Sequence, residues 1–232
     1  MSARSPGFIA VIFLASVFAT TTVLSTVDID PAEAAPRKVR KKKGTTGISK
    51  NRPIAGVKGG FVISGEGKTE IEGQSVMPEY EDKSTVGLSG YALFPVAPGI
   101  RVGGSVWLWP KWDVTENGDP PESADDDALG LDVNVMGEYA LDFGKADGFA
   151  FAEGGYSLVL PAKDDEPAPF SGFNVGGGIG GALYLSNQVA LRADIKYEFY
   201  SVTAEQELGG TTRSATYAGS RISINFGIAF GL

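Results

Sequence analysis

The chain has 232 residues, 28 of them acidic and 20 basic, for a net charge of −8, and it contains neither cysteine nor histidine. Without cysteine there is no disulfide framework, thiolate nucleophile, cysteine metal site or lipid attachment at an N-terminal cysteine. Without histidine the commonest general base and the commonest imidazole metal ligand are missing too.

The N-terminus reads as an export signal. Arg4 precedes an almost uncharged run from Phe8 to Val27, and Ala32-Glu33-Ala34 forms an A-x-A cleavage site, so residues 1–34 are expected to be a signal peptide. Residues 35–53 then form a basic and polar tail. Arg37, Lys38, Arg40, Lys41, Lys42 and Lys43 lie in it without an acid, and acidic residues crowd later loops instead, which points to two different surroundings. The basic run suits either contact with an anionic surface or a solvated leader.

From Ile54 onward eight strands are predicted, bounded by Gly, Pro, Asp or Asn signals: Ile54–Ile63, Ser84–Phe94, Ile100–Trp109, Ala128–Leu141, Phe149–Leu160, Gly172–Leu185, Val189–Val202 and Tyr217–Phe230. The seventh is the clearest. Val189, Leu191, Ala193, Ile195, Tyr197 and Phe199 share one parity, against Arg192, Asp194, Lys196 and Glu198 on the other. The fourth and eighth repeat the pattern, with Leu129, Leu131, Val133 and Val135 against Asp132, Asn134 and Glu138, and Ile222, Ile224, Phe226 and Ile228 against Arg221, Ser223 and Asn225. In the fifth strand Phe149 and Phe151 share the parity of Glu153. Either a bulge near Gly154-Gly155 switches faces, or both rings point inward or sit below a membrane. Trp107 and Trp109 share the parity of Arg101, which leaves, together with Trp112, an interfacial girdle fragment or a packed upper plug.

The links alternate in length. Pro95–Gly99, Asp142–Gly148 and Ser186–Gln188 are short, whereas Ser64–Lys83, Pro110–Asp127, Pro161–Ser171 and Thr203–Thr216 are long. Such alternation gives an up-and-down array with turns at one end and loops at the other, the asymmetry of outer-membrane barrels. An even strand count puts both termini at the turn end. Mid-strand charges number five of each sign: Lys58, Arg101, Arg192, Lys196 and Arg221 against Asp132, Glu138, Glu153, Asp194 and Glu198. In an eight-stranded barrel the interior is just wide enough for side chains, so these charges must pair or carry a large desolvation cost. A neutral, ion-paired plug is the expectation.

The last eight residues, Asn225-Phe-Gly-Ile-Ala-Phe-Gly-Leu232, resemble the C-terminal assembly signal of bacterial outer-membrane barrels, with Asn225, Gly227, Phe230 and Leu232 in its four defined places; Leu232 stands where that signal usually ends in an aromatic residue. With the strand count and loop asymmetry, residues 54–232 resemble the small OmpA/OmpX-like barrel domains. The resemblance implies an all-β, transmembrane, eight-stranded antiparallel up-and-down barrel in the outer membrane of a Gram-negative envelope, inserted by the barrel assembly machinery and monomeric. Its tail would lie in the periplasm and its long loops outside, beside lipid and lipopolysaccharide.

Other motifs carry less. Gly176, Gly178 and Gly181 fit G-x-G-x-x-G, but inside an alternating strand, where a phosphate site needs a strand-to-helix turn. Asp113, Thr115, Asn117 and Gly118 open like a calcium loop, yet Ala124 stands where a bidentate Glu is required. The loop acids Glu66, Glu70, Glu72, Glu79, Glu81 and Asp82, then Asp113, Glu116, Asp119, Glu122 and Asp125 to Asp127, then Asp164, Asp165 and Glu166, read as a solvated acidic face or as divalent-cation bridges, to each other or to lipopolysaccharide. The barrel hydrolases and proteases that resemble this architecture use a histidine, which this chain lacks. An Asp194–Glu198 acid–base pair is the remaining enzymatic option, and the interleaved Arg192 and Lys196 make an ion-pair ladder the simpler account. The expectation is a non-enzymatic barrel with a structural or surface-interaction role, no cofactor and no nucleic-acid partner. A small transport or ligand-binding barrel for an apolar solute is the alternative, and a soluble secreted binder a weaker one.

Overall fold

Alternating strands that are apolar on one face and charged on the other close here into a ring. The computed structural model describes residues 52–72, 79–82, 85–112, 114–116, 128–160, 169–208 and 211–232. The expected signal peptide, the Arg37–Lys43 run and most of the acidic loop residues lie outside the described residues. Among the described residues ten strands are present: β1 (Ile54–Ile71), β2 (Glu79–Asp82), β3 (Val86–Ala97), β4 (Ile100–Trp112), β5 (Val114–Glu116), β6 (Ala128–Asp142), β7 (Ala146–Leu160), β8 (Phe170–Tyr184), β9 (Val189–Leu208) and β10 (Thr211–Gly231). The eight long ones form an antiparallel up-and-down barrel in the order β1–β3–β4–β6–β7–β8–β9–β10, and β10 returns to β1 from Ile54 opposite Gly231 to Ile71 opposite Ala215.

Three short connections sit at one end. Two of them depend on glycines in the left-handed region, Gly99 at φ 76° and Gly144 at φ 91°, where a Cβ is disfavoured. At the other end the strands run further than their apolar pattern predicts. The expected long link Thr203–Thr216 contains strand at residues 203–208 and 211–216, because β9 and β10 continue their pairing to Leu208 opposite Thr211. The expected link Ser64–Lys83 contains the rest of β1 and all of β2, and Pro110–Asp127 contains β5. In the overhangs of β1, β9 and β10 the exposed residues are Ser64, Glu66, Lys68, Glu70, Thr203, Glu205 and Thr212 instead of aliphatic ones, so hydrophobic alternation fades while the hydrogen-bond ladder continues. They make a sheet β9–β10–β1–β2–β5, with Gly65 of β1 opposite Asp82 and Tyr80 of β2 opposite Glu116. A bulge at Ile63, between the pairs Val62–Ser223 and Ser64–Ile222, shifts the inward parity of β1 where this overhang begins.

The burial pattern is the reverse of a soluble core. Every barrel strand exposes large apolar side chains outward, among them Phe61, Leu88, Val102, Val135, Tyr156, Ile179, Ile195 and Phe226. Inside, the turn end is filled by Ile54, Leu93, Met136, Phe149 and Phe151 with Ala140, Ala182, Ala190 and Ala229, and the loop end by Val62, Trp107 and Trp109. The uncertainty over β7 resolves without a bulge. Its pairing with β6 and β8 runs in unbroken register, and Phe149 and Phe151 point into the lumen on the face that also carries Asp147 and Glu153.

That inward placement of two rings explains the glycine run of β8. A Cβ on Gly178 would stand 2.9 Å from the Phe151 ring, and one on Gly180 would stand 2.5 Å from Phe149 Cζ and 2.7 Å from Asp194 Cβ. The inner wall of β8 is bare so that β7 and β9 can fill the space. Gly180→Ala is therefore expected to lower stability by about 1–3 kcal/mol through overpacking. Gly181→Ala, whose Cβ would meet nothing closer than 3.6 Å, is expected to stay within about 0.5 kcal/mol of the parent; equilibrium unfolding in denaturant measures both.

Candidate functional site

The lumen holds the polar chemistry. All ten charges singled out by strand parity are buried there, and so is Asp147, an eleventh. Asp147 was expected in a turn, but β7 starts at Ala146, and two-residue periodicity back from Glu153 through Phe151 and Phe149 places it on the inner face. The expected neutral set thus becomes five cations and six carboxylates, 5 − 6 = −1 with every group ionised.

The pairing begins near the turn end. Glu138 of β6 takes Arg101 Nη1 on one oxygen at 2.8 Å and Arg192 Nη2 on the other, which joins β4, β6 and β9. Asp147 accepts the Tyr184 hydroxyl nearby. Arg101, Glu138, Asp147, Tyr184 and Arg192 share a small cavity there with Phe149 and the four alanines Ala140, Ala182, Ala190 and Ala229.

Next comes the closure seam. Lys58 of β1 reaches across β10 to Asp194 of β9 at 3.0 Å, and Asn225 of β10 donates to the other Asp194 oxygen at 2.6 Å. Higher still, Lys196 bridges Glu153 at 2.8 Å and Glu198 at 3.0 Å, while Arg221 bridges Glu198 at 2.6 Å and Asp132 at 2.8 Å. Neutral donors complete the carboxylates. Ser105 serves Glu153, and Trp109 Nε1 and Ser157 serve Asp132 at 2.7 and 2.6 Å. Several bonds per carboxylate are what a buried ion web needs to offset desolvation.

Aromatic rings pack against the cations. Arg192 lies 3.9 Å from the Phe149 centroid and 5.3 Å from Tyr91; Lys58 lies within 5.6 Å of Tyr91, Phe151 and Trp107; Lys196 is 4.7 Å from Trp107. Arg221 sits 4.1 Å from Trp109, which stacks on Trp107 at 5.2 Å with their planes 8° apart. Each of these cations thus lies over an aromatic ring, which attracts it through the negative face. Of the two readings of Trp107 and Trp109, the girdle is wrong: both are inside and fully buried. The side chain of Trp112 lies outside the described residues.

The C-terminal residues divide by face. Asn225 is buried in the lumen, and Gly227 stands inward beside Lys58, where a Cβ would come within 2.7 Å of the lysine's Cγ. Phe230 and Leu232 are exposed. Among the acidic residues expected in loops, Glu66, Glu70 and Glu72 are exposed on or just after the β1 overhang, and no group of three or more metal-capable side chains occurs among the described residues. Strand parity alone could not reveal Tyr91, Trp107, Ser105 and Ser157 as partners of the charges, because contact across the lumen depends on stagger between strands.

No protein-family model matches the sequence, and no curated protein matches it. Solved structures do. The outer membrane protein OprG from Pseudomonas aeruginosa is similar at a TM-score of 0.58 and 11% identity, over 81% of this chain and 98% of OprG. Outer membrane protein AlkL, determined in DMPC lipid bilayers, is similar at a TM-score of 0.54 and 15% identity, over 86% of this chain and 96% of AlkL. At these identities the likeness is one of fold, and the fold is that of an outer-membrane barrel.

Glu138 is the sharpest test of the web, because it pairs with both Arg101 and Arg192. Glu138→Gln is expected to cost about 3–5 kcal/mol by leaving buried guanidinium charge uncompensated. Adding Arg101→Met to Glu138→Gln is expected to recover part of that loss, and denaturant unfolding of the single and double variants checks it.

Proposed function

We propose that this chain is a non-enzymatic outer-membrane β-barrel whose lumen is closed by paired charges and whose role is structural or in surface contact. The observation that carries this reading is the reversed burial, with large apolar side chains exposed on all eight barrel strands and eleven acidic and basic ones among the described residues buried in the lumen. The outward apolar run of β9 from Leu191 to Phe199 has the length of about 9–11 residues that a tilted strand needs to cross a bilayer. The lumen is filled over its height by the Glu138, Asp194 and Glu198 webs and by rings stacked between them, which supports a plug over a conducting pore.

In this arrangement the turn end and both chain ends face the periplasm, with the basic run of residues 37–43 near the inner leaflet or cell wall. The overhanging sheet and loops face outward. Its acids approach the lipopolysaccharide layer, with divalent cations as bridges, and the barrel acts as a monomer. Asn225, Gly227, Phe230 and Leu232 serve recognition by the assembly machinery. Catalysis by the lumen acids is disfavoured by geometry, since each is held by a cation or a hydroxyl. An apolar-solute site at the loop end is the other reading, but Trp107 and Trp109 are already committed to each other and to Arg221 and Lys196.

Extraction from cell envelopes is expected to require detergent, and the unheated protein is expected to migrate differently from the boiled one on a denaturing gel. Release by salt or buffer alone overturns the membrane assignment. Planar-bilayer recordings are expected to show no sustained conductance for hydrated solutes, and a stable open channel overturns the plug. Ile195→Arg, on the outer face, is expected to cost about 2–4 kcal/mol if its position lies at bilayer mid-depth, measured by unfolding from lipid vesicles.

A further inference from the structure

Asn134 of β6 points into the upper lumen, 4% exposed, with neither its Nδ2 nor its Oδ1 bonded. On one side it stands opposite Ser105 of β4, on the other opposite Gly155 of β7, and Gly155 in turn stands opposite Asn174 of β8. Gly155 has no side chain, and Asn134 Oδ1 leans over it, 2.5 Å from where a Cβ would be. Asn174 is 2% exposed and its Oδ1 is also unbonded. The nearby hydroxyls already give their protons elsewhere, Ser105 to Glu153 and Ser157 to Asp132, so neither donates to the amide oxygens, and Asn174 Nδ2 donates to Ser157 at 2.8 Å. Buried side-chain amides in folded proteins nearly always find partners, from protein or from ordered water.

We infer that Asn134 and Asn174 form a buried binding niche over Gly155 for a neutral molecule that both donates and accepts hydrogen bonds, and that its occupant is water. The niche offers an N–H donor and two carbonyl acceptors. A metal cation would leave Asn134 Nδ2 without an acceptor, and an anion would leave both Oδ1 atoms without a donor. Water serves donors and acceptors together and typically makes about three hydrogen bonds at such sites. Because both atoms of the Asn134 amide are unbonded, the inference does not depend on which way the amide is turned. Held there, water links β6 and β8 across the bare position on β7 and extends the Asp132 web through Ser157 and Asn174. The inference stands independently of whether the lumen conducts.

Two measurements test it. In the full-chain protein in lipid nanodiscs, nitrogen-resolved NMR is expected to show cross-peaks between the Asn134 Nδ2 protons and the water line, with the sign of a long-lived bound water. Their absence overturns the inference. Separately, Asn134→Leu keeps the branched shape of the side chain and removes both polar atoms. If water satisfies the amide, the folding equilibrium constant is expected to fall by about tenfold; if the niche is dry, deleting an unsatisfied amide raises it, and that sign overturns the inference. Should Asn134→Leu fail to fold, the water cross-peaks of the parent protein decide.

Discussion

Charge compensation in a space too narrow for bulk water is the constraint on which this barrel depends. Eight strands enclose little more than their own side chains, and here eleven acidic and basic ones among the described residues are buried inside. A buried charge costs several kcal/mol unless a partner of opposite sign and further hydrogen bonds meet it. The arrangement that satisfies this is cross-strand bridging: Glu138 ties β4 to β9, Asp194 ties β1 to β9 and β10, and Asp132 ties β6 to β10. The webs therefore act as internal struts, holding in place strands that backbone ladders join only to their nearest neighbours.

Filling the remaining volume is a matter of size matching between walls. β8 gives up inward side chains at Gly178 and Gly180, and β7 answers with Phe151 and Phe149, whose rings occupy that space. The same rings then face Arg192 and Lys58. Packing and electrostatics are thus not separable here: a bare wall admits the rings, and the rings give two cations an attractive face. Outside, no such matching is required, and the outward residues are simply apolar and varied.

Much of this was legible in the sequence because a strand's two-residue period maps parity directly onto face. Arg192, Asp194, Lys196 and Glu198 could be assigned to one side of β9 before any pairing was known. The same rule applied one step further back along β7 would have included Asp147, which a turn-like Asp-Gly pair disguised. Strand ends were misjudged where the outer face becomes hydroxyl-rich, as in Thr203, Thr212 and Thr216, since alternation marks a boundary with an apolar medium and not the end of a ladder. Which charge meets which was not legible at all. Lys58 and Asp194 are 136 residues apart, and their meeting depends on the stagger accumulated around the ring.

The closure seam shows why a terminal motif and an interior web can draw on the same residues. β1 and β10 are the most distant strands in sequence, so their pairing closes the longest loop in the chain and carries the largest entropic cost of any ladder in the barrel. Backbone bonds alone would make this seam equivalent to any other. Lys58 crosses it to reach Asp194, Asn225 holds the second oxygen of that carboxylate, and Gly227 leaves the space through which the lysine passes. A side chain at Gly227 would block the lysine, and loss of Asn225 would leave an Asp194 oxygen without its amide donor. The small and polar places of the C-terminal pattern are therefore constrained by the lumen, whereas its outward places, Phe230 and Leu232, remain exposed for whatever lies outside the barrel.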